Sequence, residues 1–206
     1  MNKKSDANIY FDSCVYLAYY RNEVASYGQG RINAIRELWE ENNKGGTTIV
    51  TSALTICEVE ERLLEWQMGN ELDDFNNRFR IGAHKLIDLD PIIAKKAAEL
   101  RHYYRKNPLK LPNKSKPSAN LLTPDAIHLA TAIIYQCDEF WTLDGLDAAH
   151  DKHKSIKPLW LNNKAGNHQL IIVPPALPQP SLPFVIPVSA KPPTLIPLPP
   201  PTSEQS

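Results

Sequence analysis

Short β-prone runs alternate with long helical stretches, and this alternation decides what the chain can fold into. The runs are "NIYF" (Asn8–Phe11), "TTIVTS" (Thr47–Ser52), "KLIDLD" (Lys85–Asp90) and "EFWTLD" (Glu139–Asp144), with a last strand placed near "IKPLWL" (Ile156–Leu161). Between them lie "CVYLAYYRNEV", "GRINAIRELWEENN", "ALTICEVEERLLEW", "ELDDFNNRFRIGA", "PIIAKKAAELRHYYRK" and the helix that starts in "LLTPDAIHLATA". Ile32, Ile35, Leu38 and Trp39 keep helical spacing, as do Ile56, Val59, Leu63 and Leu64. Ser52 and Thr123 can cap the helices that follow them, and Pro124 suits a first helical position. Strands separated by helices this long pair in parallel, because a hairpin cannot span the connection. The expected fold is α/β, a three-layer α/β/α domain with a short parallel sheet.

Proline sets the expected boundary. Thirteen of the 18 prolines lie between Pro158 and Pro201. From about Asn162 the composition changes, and "VPPALPQPSLPFVIPVSAKPPTLIPLPPP" (Val173–Pro201) holds too many prolines, each without an amide hydrogen, to form a helix or central strand. Residues 1–161 are therefore read as one domain, and 162–206 as a proline-rich disordered tail.

The formal net charge is zero, so the molecule as a whole has no electrostatic bias toward nucleic acid or membrane. Cys14, Cys57 and Cys137 are odd in number, without metal-ligand spacing, and are read as small core residues in a reducing compartment. The N-terminus lacks a signal-peptide h-region, and no run approaches the roughly 18 apolar residues of a membrane span. A cytoplasmic protein with no membrane partner is expected.

Acids then stand at repeated positions on this scaffold. Asp12 follows the first strand, Glu58 lies in the helix after the second, Asp125 opens a late helix, and Asp144 closes the next strand with Asp147 close behind. In an open α/β sheet, ligands bind beyond the carboxyl ends of the strands. Asp12, straight after an apolar run, is hard to explain structurally, but the other three acids have ordinary explanations. Asp125 can complement a helix dipole, Asp144 can serve the "LDG" turn, and Glu58 shares its helix with Glu60, Glu61 and Glu65. Gathered at one edge they would repel, and a divalent cation would relieve the repulsion. Oxygen donors without a His or Cys pair favour Mg²⁺ or Mn²⁺ over zinc.

"IYFDSCVYLAYY", "TSALTICEVEERL", "LTPDAIHLATA" and "FWTLDGLD" resemble, in order and spacing, the four motifs of PIN-domain ribonucleases, including VapC-type toxins. The resemblance covers roughly Ile9 to Leu161 and leaves the tail unexplained. It implies a metal-dependent endonuclease acting on RNA, with catalytic and metal-binding acids at Asp12, Glu58, Asp125 and Asp144. It adds Asp147 as a further metal acid, and Ser13 and Thr142 as hydroxyls supporting the metal or its water. If the chain is a toxin, a small antitoxin would occupy the pocket or its groove, and a homodimer is expected by analogy alone.

Between Glu99 and Asp125 there are six basic residues and no acids, among them Lys106, Lys110, Lys114 and Lys116, interleaved with His102, Tyr103 and Tyr104. These lysines are the expected contacts to an RNA backbone, although a lysine-rich loop is usually only a solvated one. His128 is read as a packed, hydrogen-bonded histidine. A haloacid-dehalogenase-type phosphatase needs a second Asp where Cys14 stands, and a nucleotide-binding fold needs glycines that "FDSCVYL" lacks. The remaining alternative is a non-catalytic PIN-like module that binds RNA or protein, with the tail as its interaction arm.

Overall fold

A computed structural model describes residues 7–112, 116–146 and 155–176. In chain order the elements are β1 (Ala7–Phe11), α1 (Ser13–Tyr20), α2 (Val24–Tyr27), α3 (Gln29–Asn43), β2 (Thr47–Ser52), α4 (Ala53–Glu65), α5 (Gly69–Arg80), β3 (His84–Ile87), α6 (Pro91–Lys106), α7 (Thr123–Ile134) and β4 (Glu139–Trp141). A 3₁₀ turn (Pro158–Leu161), the two-residue strands β5 (Lys164–Ala165) and β6 (His168–Gln169), and β7 (Ile171–Val173) complete them. The main sheet has the order β3-β2-β1-β4-β7, and every pairing in it is parallel.

Alternation along the strands builds the three layers. Tyr10, Val50, Phe140 and Ile172 point to one face and pack with Ile93, Ala97 and Leu100 of α6 and Ala126 and Leu129 of α7. Ile9, Phe11, Ile49 and Trp141 point to the other, against Val15 of α1, Ile32 and Ile35 of α3, Val59 of α4 and Phe75 of α5. Sheet faces covered by helices on both sides leave strand ends as the accessible edge. β1 lies at the centre, and the connections diverge to β2 on one side and β4 on the other. That divergence opens a crevice at the carboxyl ends of β1 and β4.

Several local expectations are corrected. Ile156–Leu161 is not a strand. Ile156 makes only an isolated bridge to Leu121, and Pro158, which cannot donate to a ladder, opens the 3₁₀ turn. The sheet's edge is instead "IIV", Ile171–Val173, paired in parallel with Glu139–Trp141. The packed structure thus runs past the boundary expected at residue 161, because this short β-branched run precedes the first adjacent proline pair, Pro174-Pro175. Residues 177–206, the bulk of the expected tail, lie outside the described residues.

Replacing Ile172 by Ala is expected to lower the unfolding free energy by about 2 kcal/mol, the lower end for a buried aliphatic truncation at a strand that can partly relax. Urea denaturation of the full chain measures it, and an unchanged midpoint and slope would remove Ile172 from the core.

Leu64 is 62% exposed, so the inner stripe of α4 is Thr55, Val59 and Leu63. Cys57 is exposed, Cys14 intermediate and Cys137 buried, so only Cys137 is a simple core thiol. Ser52 caps α4 through Leu54 N–H, as its position suggested, but Thr123 is the first residue of α7 and not its cap. Among the described residues no helix is long and apolar enough to cross a membrane.

Candidate functional site

Four separated segments bring their acids to the crevice. β1 ends at Phe11, and Asp12 turns the chain into α1 with extended backbone angles, accepting the Ser13 N–H at Oδ1 (2.8 Å). Its Oδ2 accepts the Thr142 hydroxyl (2.7 Å) and the weak Cys14 thiol donor (3.4 Å). Thr142, just past β4, also receives the Asp144 N–H at 3.0 Å, so one hydroxyl ties the ends of two neighbouring strands to two acids. Burial, with Asp12 and Asp144 nearby, pushes the Cys14 thiol well up, which keeps it a neutral donor and not a nucleophile.

Glu58 projects from α4 toward Ser13 and His128. Its Oε2 accepts the Ser13 hydroxyl in a short hydrogen bond and lies 2.9 Å from His128 Nε2. Burial alone would raise the Glu58 carboxyl. The hydrogen bond and charge of His128, together with the Ser13 hydroxyl, outweigh it and hold the group below its ordinary value. His128 is fully enclosed, with Nδ1 2.7 Å from the Tyr10 hydroxyl and Nε2 3.7 Å from Asp12 Oδ1. Burial lowers the imidazole, but Glu58, Asp12 and Asp125 together raise it above its usual value. The packed, hydrogen-bonded reading of His128 agrees with this geometry, yet the ring also braces Glu58.

Asp125 sits in the first turn of α7. Burial, then the charges of Asp12 and Asp144, push its carboxyl up to about 7, while Lys157 and His128 pull it down. Its Oδ2 is buried with no hydrogen-bond partner among the described residues. Asp144 occupies the turn after β4, where its Oδ2 accepts from Lys157 Nζ at 3.0 Å. All four acids, with Ser13, Cys14, Leu17, Glu61, Arg62 and His128, line one cavity of about 290 Å³.

Around this cup, Arg62 and Lys157 were not singled out from the sequence, and Glu61 stood there only as a rival to Glu58. Glu61 and Arg62 stand one turn beyond Glu58 on α4, a spacing that does signal a shared face. Lys157 carries no such signal, because only the tertiary path of the chain returns it to Asp144. The expected RNA contacts lie elsewhere. Lys106 borders a different groove, with His102, Tyr103 and the Gly166–His168 turn, while Lys110 and Lys116 are exposed and do not line the acid cup. Asp147 and Lys114 lie outside the described residues.

Among the described residues no group of three or more His, Cys, Asp or Glu side chains is disposed to hold a metal ion as it stands. The donors at the cup are nonetheless mainly carboxylate and hydroxyl oxygens, and the partnerless Oδ2 of Asp125, on a carboxyl raised by burial and by like charges, would be stabilised by a cation. A hydrated Mg²⁺ or Mn²⁺, which is commonly taken by one or two carboxylates while keeping several waters, suits such an open arrangement. A closed all-protein cage does not.

A family model described as PIN domain matches residues 9–146. No curated protein matches the chain. Among solved structures, a toxin–antitoxin complex from Klebsiella pneumoniae is 20% identical with a TM-score of 0.44, covering 72% of this chain and 95% of that one. VapBC2 from Rickettsia felis, bound to a DNA fragment from its promoter, is 15% identical with a TM-score of 0.48, covering 81% and 98%. VapC20 from Mycobacterium tuberculosis, a toxin that cleaves the sarcin–ricin loop, is 14% identical with a TM-score of 0.45, covering 73% and 99%. The family match ends at residue 146, so the 3₁₀ turn and β7 lie outside it.

Proposed function

The chain belongs to the PIN domain family, and from that premise we propose that it is a metal-dependent endoribonuclease that hydrolyses RNA phosphodiesters. One observation carries the reading: Asp12, Glu58, Asp125 and Asp144, up to 132 positions apart in sequence, border one cup of about 290 Å³. His128 and Lys157 answer Glu58 and Asp144, but the buried Oδ2 of Asp125 has no partner among the described residues, so the gathered negative charge is only partly offset and favours a cation.

Asp12, Asp125 and Asp144 would hold Mg²⁺ or Mn²⁺, with Glu58 beside them. Bound there, such an ion polarises a phosphoryl oxygen and offsets the charge that develops as the bond breaks. The chain's own residues do the rest. Thr142 and the Ser13 N–H fix the rotamer of Asp12, so that its carboxylate is preorganised. Ser13 and His128 hold Glu58 ionised, leaving it able to accept a hydrogen bond from an attacking water. Water attacks in line and no covalent enzyme intermediate forms. Arg62 of α4 lines the cup, where it pairs with Glu65 at 2.6 Å, and is proposed to meet a flanking phosphate. Lys106, Lys110, Lys114 and Lys116 are proposed to meet the RNA further from the cut, and Asp147 to assist at the metal.

The motif resemblance to VapC-type toxins makes a small antitoxin over the cup the proposed partner, with a homodimer as the proposed assembly. The non-catalytic alternative draws on a specific observation. Glu58 is engaged by His128, and no group of three metal-type ligands is disposed for an ion as the side chains stand. Incubating the full chain with RNA in Mg²⁺ or Mn²⁺, against excess chelator, separates the two. Internal cleavage that stops on chelation is expected. Cleavage that persists in chelator, or no cleavage together with no Mn²⁺ binding by calorimetry, overturns the nuclease reading.

A further inference from the structure

A lysine ammonium sits against one wall of the acid cup, delivered by a segment outside the family match. Lys157 Nζ is 3.0 Å from Asp144 Oδ2, and the lysine side chain is the more buried of the two, 14% exposed against 37%. Its backbone is fastened on both sides. Before it, Ile156 N–H donates to Asn120 O (2.8 Å), and Ile156 bridges Leu121, just ahead of α7 and Asp125. After it, Leu159 N–H donates to Asp144 O (3.3 Å) and the Trp160 indole donates to Gly145 O (2.9 Å).

Gly145 shows how tightly this strap lies on the acid turn. Its φ is +106°, and a Cβ there would stand 2.8 Å from Trp160 Nε1 and 3.1 Å from Lys157 Cβ. The charge of Lys157 is also felt at Asp125. One cation is thus fixed between the turn that carries Asp144 and the entry to the helix that carries Asp125.

We propose that Lys157 is a built-in counter-ion of the cup, a positioning residue whose ammonium holds Asp144 in place and competes with a divalent cation for it. The proposal rests on the metal reading above. An ammonium and a hydrated divalent ion answer the same charge demand, and the short pair, with its lysine largely buried, favours an intramolecular partner over an ammonium kept for substrate phosphate. In this arrangement the strap tunes cation affinity downward, and it keeps the acids gathered when no ion is bound.

The test is Mn²⁺ titration of the full chain by calorimetry, without RNA, for the unaltered protein, Lys157→Met, Lys157→Gln and Lys157→Arg. Both neutral variants are expected to bind Mn²⁺ about tenfold more tightly, and the Arg variant within about threefold of the unaltered chain. A purely structural role would move affinity the other way. Unchanged or weaker binding in whichever neutral variants remain folded by circular dichroism, with binding by the unaltered chain intact, overturns the counter-ion role and leaves the metal reading standing. Unfolding of both neutral variants overturns it too, because the lysine would then be a structural necessity. Absence of Mn²⁺ binding by the unaltered chain overturns the metal reading itself.

Discussion

Asp125→Asn is expected to reduce the proposed metal-dependent RNA cleavage by roughly 10²–10³-fold, because on that reading it removes one anionic ligand and the electrostatic assistance that the ligand supports. The same change should make the metal-free protein more stable at alkaline pH. The Asp125 carboxyl is pushed up to about 7 in the folded chain, first by burial and then by Asp12 and Asp144. A carboxyl raised above its unfolded value binds its proton more tightly when folded. Stability therefore falls as pH rises from the ordinary carboxylate range through about 7, and is level above that. The cost by pH 8 is on the order of 4 kcal/mol, and Asn does not incur it. Thermal melts with chelator at pH 5 and pH 8 should show the unaltered protein losing ground that Asp125→Asn keeps, and Mn²⁺ restoring it in the unaltered protein only. Equal pH dependence in the two would remove Asp125 from the repulsive cluster, and full activity in the Asn variant would remove it from the chemistry.

Asp12→Asn is expected to have the largest effect on cleavage, about 10³-fold or more, since Asp12 lies at the base of the cup between Ser13, Thr142 and Cys14. Unlike the previous substitution, it should also cost about 1–2 kcal/mol of stability. The amide keeps an acceptor for the Ser13 N–H but turns its NH₂ toward the Thr142 hydroxyl, which already receives the Asp144 N–H. Single-turnover cleavage with saturating Mn²⁺ and urea unfolding measure the two effects. A variant that cleaves normally would end the assignment of Asp12. A variant that loses activity only by unfolding would leave it structural.

Much of this was legible because it rests on local periodicity. The first four strands, the helical stripes through Ile32, Ile35 and Leu38, and the placement of acids at strand ends follow from alternation and from where a parallel sheet opens. The motif resemblance then selected Glu58 from a helix with several glutamates, which periodicity alone could not do, and Glu61 does border the same cup. What failed depended on long-range contacts. Ile171–Val173 is too short and too close to Pro174 to announce itself, and becomes a strand only because Glu139–Trp141 offers it a free edge. Pro158 disguised a 3₁₀ turn within an apolar run. Lys157 is invisible from sequence for the same reason, since its meaning comes from Asp144 and not from its neighbours. In the basic loop, proximity along the chain and proximity in space part company, since Lys106, Lys110 and Lys116 lie near Asp125 in sequence but do not line the cup.

The aromatic side chains of the two central strands carry a further implication. Tyr10 lies flat against Phe140 on one face of the sheet, with centroids 5.0 Å apart, and Phe11 lies flat against Trp141 on the other, at 5.5 Å. A slip of one residue between β1 and β4 would break both stacks at once and turn each ring toward the wrong helical layer. The strand ends that present Asp12 and Thr142 are thereby doubly keyed, so shifts of the surrounding helices can reshape the rim of the cavity without changing the spacing at its floor.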